Sequence, residues 1–561
     1  MLRRRDGLKG LAASALALGA FSAIRARAAE PAATAQGGAA VGPEGGAPDL
    51  TLINGKIHTM DDRNSIVSAV SIRNGMIVSV GDSAPAGGKV IDLQGRTVIP
   101  GLVDNHNHFL LLGARPGHDT RLETAASIAD VQSAIKARIA TVPDSAWITS
   151  MGGWVPDQFA EKRLPNLAEL DSASPDHPVI VYQTFVGPAA VNTPARNFFA
   201  AKGIAVGDSG AIAIGPPSLA ALNALRAIQI FADKKQGTLD AMAYSASLGV
   251  TTNVDMGAFV IPGTPDTQAS AQLDTLASDN PFTMHEPILA LHREGKVSTR
   301  LRIFYLSMDK EPNVPLIAQR VLNAYPGFGD DMVRISGIGE FVTAWPLFQG
   351  DFPANYQAAL KLVAEKGWPF QQHTLTSRED SFTIESFRKV AETFPVADLR
   401  WSIAHVPEIT AENIAAAKAL GVGLALHGFR YLSGSKRGGP PYRSIVDSGI
   451  RVGAGSDSAQ ISTLDPWNMI YYMVTGKNAA GILVNEGQTL SREEAIRLYT
   501  AANGWFIKEE DRLGSIEPGK FGDLVVLNDD IFDPVKVPDE AIRRVRPTLT
   551  IVGGKVVYGT A

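Results

Sequence analysis

Thr97-Val98-Ile99-Pro100-Gly101-Leu102-Val103-Asp104-Asn105-His106-Asn107-His108 is the stretch on which the fold turns. A β-branched, apolar run stops abruptly at two histidines with one residue between them. Side chains at i and i+2 of an extended strand point to the same face. His106 and His108 therefore present two imidazoles, from the end of a strand, to one ion. Two histidines that merely neighbour each other in a loop would look the same on this pair alone.

Downstream, apolar strand-like runs alternate with amphipathic stretches at residues 249–256, 300–306, 332–339, 369–373, 400–405, 421–426 and 451–456. With the first run these make eight, the pattern of an α/β protein built on a (β/α)8 TIM-like barrel. In such barrels the chemistry gathers at the C-terminal ends of the strands. The polar residues closing these strands are His106 and His108, Glu340, His373, His405, His427 and Asp457, most of them metal-ligand types. Singly, each has a plain structural alternative: a histidine hydrogen-bonded in the core, or an aspartate capping the next helix. Jointly and in this order, they are hard to attribute to packing. The segment 110–245 is too long for one crossover. It contains Gly152-Gly153-Trp154 and Asp176-His177-Pro178-Val179-Ile180-Val181, and reads as an insertion over the mouth of a barrel spanning 101–512.

Short strands and tight turns occupy both ends of the chain. Asn54-Gly55 and Asn74-Gly75 carry the strongest short-range hairpin cue, and a further strand pair brackets Gln94-Gly95. The same texture returns around Leu524-Val525-Val526-Leu527 and Gly553-Gly554. Neither end has enough strands to stand alone, so 49–100 and 513–561 are expected to pair into one composite β-sandwich domain.

The chain has 561 residues, 45% hydrophobic and 19% charged, as in an ordinary soluble protein. A net charge of −5 without a basic block in the body argues against nucleic acid as a partner. With no cysteine, disulfides and thiolate metal sites are excluded, so any metal must be held by His, Asp, Glu or a modified Lys. Arg3-Arg4-Arg5 begins a basic start, an apolar run follows at 10–24, and Ala26-Arg27-Ala28 offers a cleavage site. Residues 1–28 read as a twin-arginine-type export signal, with an ordinary secretory signal or uncleaved anchor as the alternative. The apolar run is too short for a comfortable membrane span. Removing the signal takes away six basic and one acidic residue and moves the net charge to −10. Residues 29–48, rich in Ala, Gly and Pro, read as a flexible linker, and the mature protein as periplasmic or otherwise exported.

The chain resembles the amidohydrolase superfamily, in particular its YtcJ-like branch, amidohydrolase family 3. The resemblance rests on Pro100-Gly101-Leu102-Val103-Asp104 before the two histidines, Gly455-Ser456-Asp457, and Gly514-Ser515-Ile516-Glu517-Pro518-Gly519-Lys520. It implies a divalent metal cofactor, usually zinc, as one or two ions. His106 and His108 would hold one ion with Asp457, and His373 and His405 the second, with Asp457 as the catalytic proton carrier. Relatives often bridge the ions with a carboxylated lysine on the fourth strand. This strand carries Arg334 and ends in Glu340, which would supply the bridging carboxylate. Pro188, within 185–189, stands where relatives often have a histidine. His427, Arg430 and Trp154 are candidates for substrate contact. His58, His118, His177, His285 and His292 read as structural or surface residues, and Glu408 as the start of a helix. The implied activity is hydrolysis of a carbon–nitrogen bond, amide or cyclic amide, in a small molecule, by a chain that could form homo-oligomers. Deamination, ester or lactone hydrolysis, and an exported non-catalytic binding protein are the alternatives. Gln371, Gln372 and Thr374, rather than a glutamate, flank His373, which disfavours deamination.

Overall fold

The computed structural model describes residues 47–560 apart from 84, 86, 260–274, 347–353, 433–436 and 459–460. The segment read as an export signal, residues 1–28, and nearly all of the stretch read as a linker lie outside the described residues. No helix among those described is long and apolar enough to cross a membrane.

Eight parallel strands form the central sheet: β1 (Leu102–Asn107), β2 (Val250–Asp255), β3 (Arg300–Tyr305), β4 (Val333–Glu340), β5 (Phe370–Thr374), β6 (Ser402–His405), β7 (Gly423–His427) and β8 (Val452–Gly455). Each pairs with the next in sequence, as right-handed βα crossovers dictate. Their runs are buried throughout or nearly so, because helices cover the outside while side chains fill the interior.

The seam between β1 and β8 is sealed by side chains in place of a ladder. Asp104 accepts from the Ser456 N–H at 2.9 Å and the Ser456 hydroxyl at 2.5 Å. Asn503 donates to the carbonyls of Val103 and Ala454, and its own carbonyl oxygen accepts from Asn105. Two glycines make the approach possible. A Cβ on Gly455 would stand 2.7 Å from the His106 nitrogen, and one on Gly453 2.1 Å from Asn503 Oδ1. Beyond the strands, the Asp457 N–H donates to the His106 carbonyl and the His108 N–H to that of Ser458. The loop bearing Asp457 is thereby fixed against the two histidines.

Both chain ends build the β layers. The first sheet joins Leu50–Ile53, Ala69–Arg73, Met76–Gly81 and Lys89–Asp92. The second runs Lys555–Gly559, Pro547–Val552, Leu524–Leu527, Thr97–Pro100, Lys56–His58 and Ile66–Val67. Val525 opposite Ile99, antiparallel, ties the C-terminal strands to the segment leading into β1. Leu52, Ile72, Ile91, Val98, Ile516, Leu524 and Ile551 fill the space between the layers.

The hairpin reading holds at Asn74-Gly75, where Arg73 faces Met76 and both turn residues have positive φ. It fails at Asn54-Gly55 and at Gln94-Gly95. There the flanking strands go to different sheets, and the two turns lie side by side, Leu93 N–H bonding to Ile53 O and Lys56 N–H to Arg96 O. A left-handed turn residue fixes local backbone direction without choosing the next strand's partner.

The insertion has its own five-stranded sheet, His118–Asp119, Ile148–Met151, Val179–Tyr182, Ala189–Val191 and Ala211–Ile212. The helix Phe231–Ser247, at the end of that span, belongs with the barrel. It leads into β2, Ala241 and Met242 join the barrel core, and Gly237 lies so close to Gly113 that a Cβ would come 2.2 Å from the Gly113 oxygen.

Candidate metal centre

Six strand-end side chains meet inside the barrel mouth. His106 and His108 sit in phase at the end of β1, Glu340 ends β4, His373 lies on β5, His405 ends β6, and Asp457 follows β8. All are buried except His373, which is slightly exposed. Their donor atoms fall into overlapping groups within 4.8 Å: His106, His108 and Glu340; Glu340, His373 and His405; and His106, His405 and His427.

The Glu340 carboxylate stands between two histidine pairs. Its Oε1 is 3.3 Å from His108 Nε2. Its Oε2 is 2.7 Å from His373 Nδ1 and 3.0 Å from His405 Nε2. Asp457 Oδ1 lies 3.6 Å from His106 Nε2 and 3.4 Å from His108 Nε2, and its Oδ2 3.5 Å from His405 Nδ1. His405 and Asp457 hold φ of 70° and 51°, a region that non-glycine residues rarely occupy and that clusters at functional sites.

Backbone and side-chain acceptors set the imidazole tautomers. His108 Nδ1–H donates to the Gly257 carbonyl at 2.7 Å, and His106 Nδ1–H to Gln371 Oε1. Each ring then turns the lone pair of Nε2 toward the carboxylates, the outer support that metal-ligating histidines receive. His106 Nε2 is buried with no hydrogen-bond partner. Leaving such an atom unmet costs about 1–3 kcal/mol, and a cation would meet it. The nitrogen and carboxylate donors, with no thiolate, also suit zinc and similar divalent ions. The residues present fit a metal.

Burial opposes ionisation of Glu340, but the His373 charge and the imidazoles of His108, His373 and His405 around it hold its carboxyl well below the usual range. Asp457 is likewise held low against burial, by the neighbouring His405, His106 and His108. Burial pushes His405 down to about 4 despite the neighbouring Asp457. His108 and His373 go the other way. Burial lowers both, but Asp457 and Glu340 carry His108 well above its ordinary value, and Glu340 raises His373. Without metal, these two rings keep protons near neutrality that a cation must displace. Apparent metal affinity is therefore expected to rise with pH through neutrality, each of the two rings releasing its proton. Calorimetric titration in buffers of different ionisation enthalpy measures that release, and binding without it would contradict the assignment.

Aromatic rings wall the site. Phe341 stacks on His373 at 4.9 Å, Phe259 lies 5.9 Å from His108 and 5.5 Å from Phe341, and Phe429 is 6.4 Å from His405. Gln371, the Gly257 carbonyl and this wall escaped the sequence reading. Only Gln371 carried a signal, since it is two residues before His373 and shares its face of β5.

One substrate-contact candidate sits elsewhere. Trp154 is buried in the insertion's own core, stacked on Phe159, so its ring cannot line a substrate wall. Arg430 is engaged by Glu408 at 3.3 Å and lies over Phe429. Glu408 accordingly pairs with Arg430 and does not start a helix; Thr410 caps the one that follows. His427 does reach the cluster. His58 stacks on Phe532, His177 bonds the Ala146 carbonyl, and His292 pairs with Asp330. His118 is in the insertion sheet, and His285 lies 3.8 Å from Asp255. None of these five joins the metal groups.

A family model for amidohydrolases matches residues 89–558. The chain belongs to the amidohydrolase family. It is an enzyme of the metal-dependent, carbon–nitrogen-cleaving kind that the family comprises. This amidohydrolase is 24% identical over 553 residues to the N-substituted formamide deformylase of Arthrobacter pascens, covering 91% of this chain and 98% of that protein. Among solved structures it is similar to an uncharacterised metal-dependent hydrolase from Pyrococcus furiosus (TM-score 0.58, 20% identity, 86% of this chain and 100% of that one). It is also similar to the atrazine chlorohydrolase TrzN from Arthrobacter aurescens, complexed with zinc (TM-score 0.53, 16% identity, 91% and 95%). At these identities the solved structures speak for the barrel fold.

Proposed function

We propose that the chain is a two-metal hydrolase that cuts an amide or cyclic amide bond in a small molecule, outside the cytoplasm after twin-arginine-type export. The observation that carries the two-ion reading is the place of the Glu340 carboxylate, with Oε1 toward His108 and Oε2 nearest His373 and His405 and farther, at 3.7 Å, from His106 Nε2. His106, His108 and Asp457 would hold one ion, His373 and His405 the other, and Glu340 both. Bound zinc supplies Lewis acidity, polarising the substrate carbonyl and lowering the pKa of water toward neutrality.

The chain's own groups do the rest. Asp457 is ionised at neutral pH and touches both histidine sets, so it can take the proton of the attacking water and return it to the leaving nitrogen. Phe259, Phe341 and Phe429 keep bulk water away and favour an apolar, planar group beside the reacting carbon. The amide reading is supported by the likeness to a formamide deformylase over nearly the whole chain.

A panel of N-substituted formamides, cyclic amides, lactones, esters and aminopurines tests the reading. Hydrolysis of amides is expected, lost on metal removal with a chelator and recovered with zinc. Ammonia release from aminopurines, or esters and lactones turned over with amides untouched, would overturn the amide assignment.

A further inference from the structure

His106 and His108 each have an acceptor that fixes the proton on Nδ1. The ring of His405 has its Nε2 3.0 Å from Glu340 and its Nδ1 2.8 Å from Nδ1 of His427. Two imidazole nitrogens this close must be one donor and one acceptor, and the pair alone does not say which. The backbone does. The His405 main-chain N–H, a donor by necessity, points at the same His427 Nδ1 at 3.2 Å. A proton on that nitrogen would set two N–H groups against each other in a fully buried site. His427 Nδ1 therefore accepts and the facing His405 Nδ1 donates; the His427 proton is left on Nε2, which is buried without a hydrogen-bond partner. Asp457 Oδ2, the other acceptor near that nitrogen, is farther away at 3.5 Å.

We infer that His427 is a positioning residue: it holds His405 in the Nδ1–H tautomer and keeps its Nε2 lone pair aimed at the Glu340 side of the metal centre. It does for His405 what Gln371 does for His106 and the Gly257 carbonyl for His108. The sequence fits the role, because β6 and β7 are neighbours in the barrel and their terminal histidines are brought side by side. Outer partners of this kind typically change metal affinity about 10–100-fold. The inference rests on the proposed two-metal reading, and its test separates the two.

The experiment is zinc titration of metal-depleted protein against a competing chelator, comparing wild type, His405→Ala, His427→Leu and His427→Asn. Thermal melting of each variant confirms that it is folded. Wild type is expected to take up two ions, and His405→Ala to lose one. In His427→Leu the same single ion should bind about 10–100-fold more weakly while the other is unchanged. His427→Asn, whose carbonyl oxygen can accept in place of Nδ1, should recover most of the loss. A merely structural role would lower stability without this selective loss and rescue. Two ions bound normally by His427→Leu, or equal loss in Leu and Asn variants, would overturn the inference and leave the two-metal reading intact. Wild type that binds no zinc, or zinc uptake indifferent to His405→Ala, would overturn the two-metal reading and this inference with it.

Discussion

Asp457→Asn is expected to lower kcat by about 10³-fold, within the range that a positioned proton-transfer group contributes. The substitution keeps shape and hydrogen-bonding capacity but removes the charge. An amide cannot take the proton of the attacking water, nor present an anionic oxygen to His106 and His108. KM is expected to change little, because in its proposed role Asp457 acts on the reacting water more than on the substrate's remote parts. Steady-state kinetics at saturating zinc, with metal content measured on the same samples, separate a lost proton acceptor from a lost ligand. Activity within tenfold of wild type would remove Asp457 from the chemistry.

Glu340→Gln is expected to act chiefly on metal. Its carboxylate faces both histidine pairs, so neutralising it weakens attraction for each ion and lets His108 and His373 fall back toward ordinary basicity. The affinity of the His373–His405 side should fall on the order of 100-fold, the upper end of what even outer partners contribute. Hydrolysis should fall with it. Glu340→Asp keeps the charge but loses one methylene of reach, and should retain one ion better than the other. Metal analysis after dialysis against a weak chelator reads both outcomes. Full occupancy in Glu340→Gln would mean that the carboxylate is a neighbour of the ions and not their bridge.

Much of this centre is legible in the chain, because a strand's two-residue period and a barrel's habit of placing chemistry at strand ends are both local rules. His106 and His108 follow from the first rule; Glu340, His373, His405 and Asp457 follow from the second. What escaped depends on partners far away in sequence. Asn105 bonds Asn503 across 398 residues, and Asp104 reaches Ser456 across 352. No local pattern announces that these polar residues seal a barrel. The turns at Asn54-Gly55 and Gln94-Gly95 fail as hairpin cues for a related reason: positive φ sets direction, while strand pairing is a tertiary choice. Trp154, beside two glycines, reads as a candidate for substrate contact, yet its apolar ring is stacked on Phe159 inside the insertion.

The central claim is that Glu340 stands between two cations. Crystals grown with zinc and measured at the zinc absorption edge test it most directly. Two anomalous peaks are expected, one among His106, His108 and Asp457 and one beside His373 and His405, with Glu340 touching both. A lone peak out of contact with Glu340, or none in zinc-loaded, active protein, would contradict it.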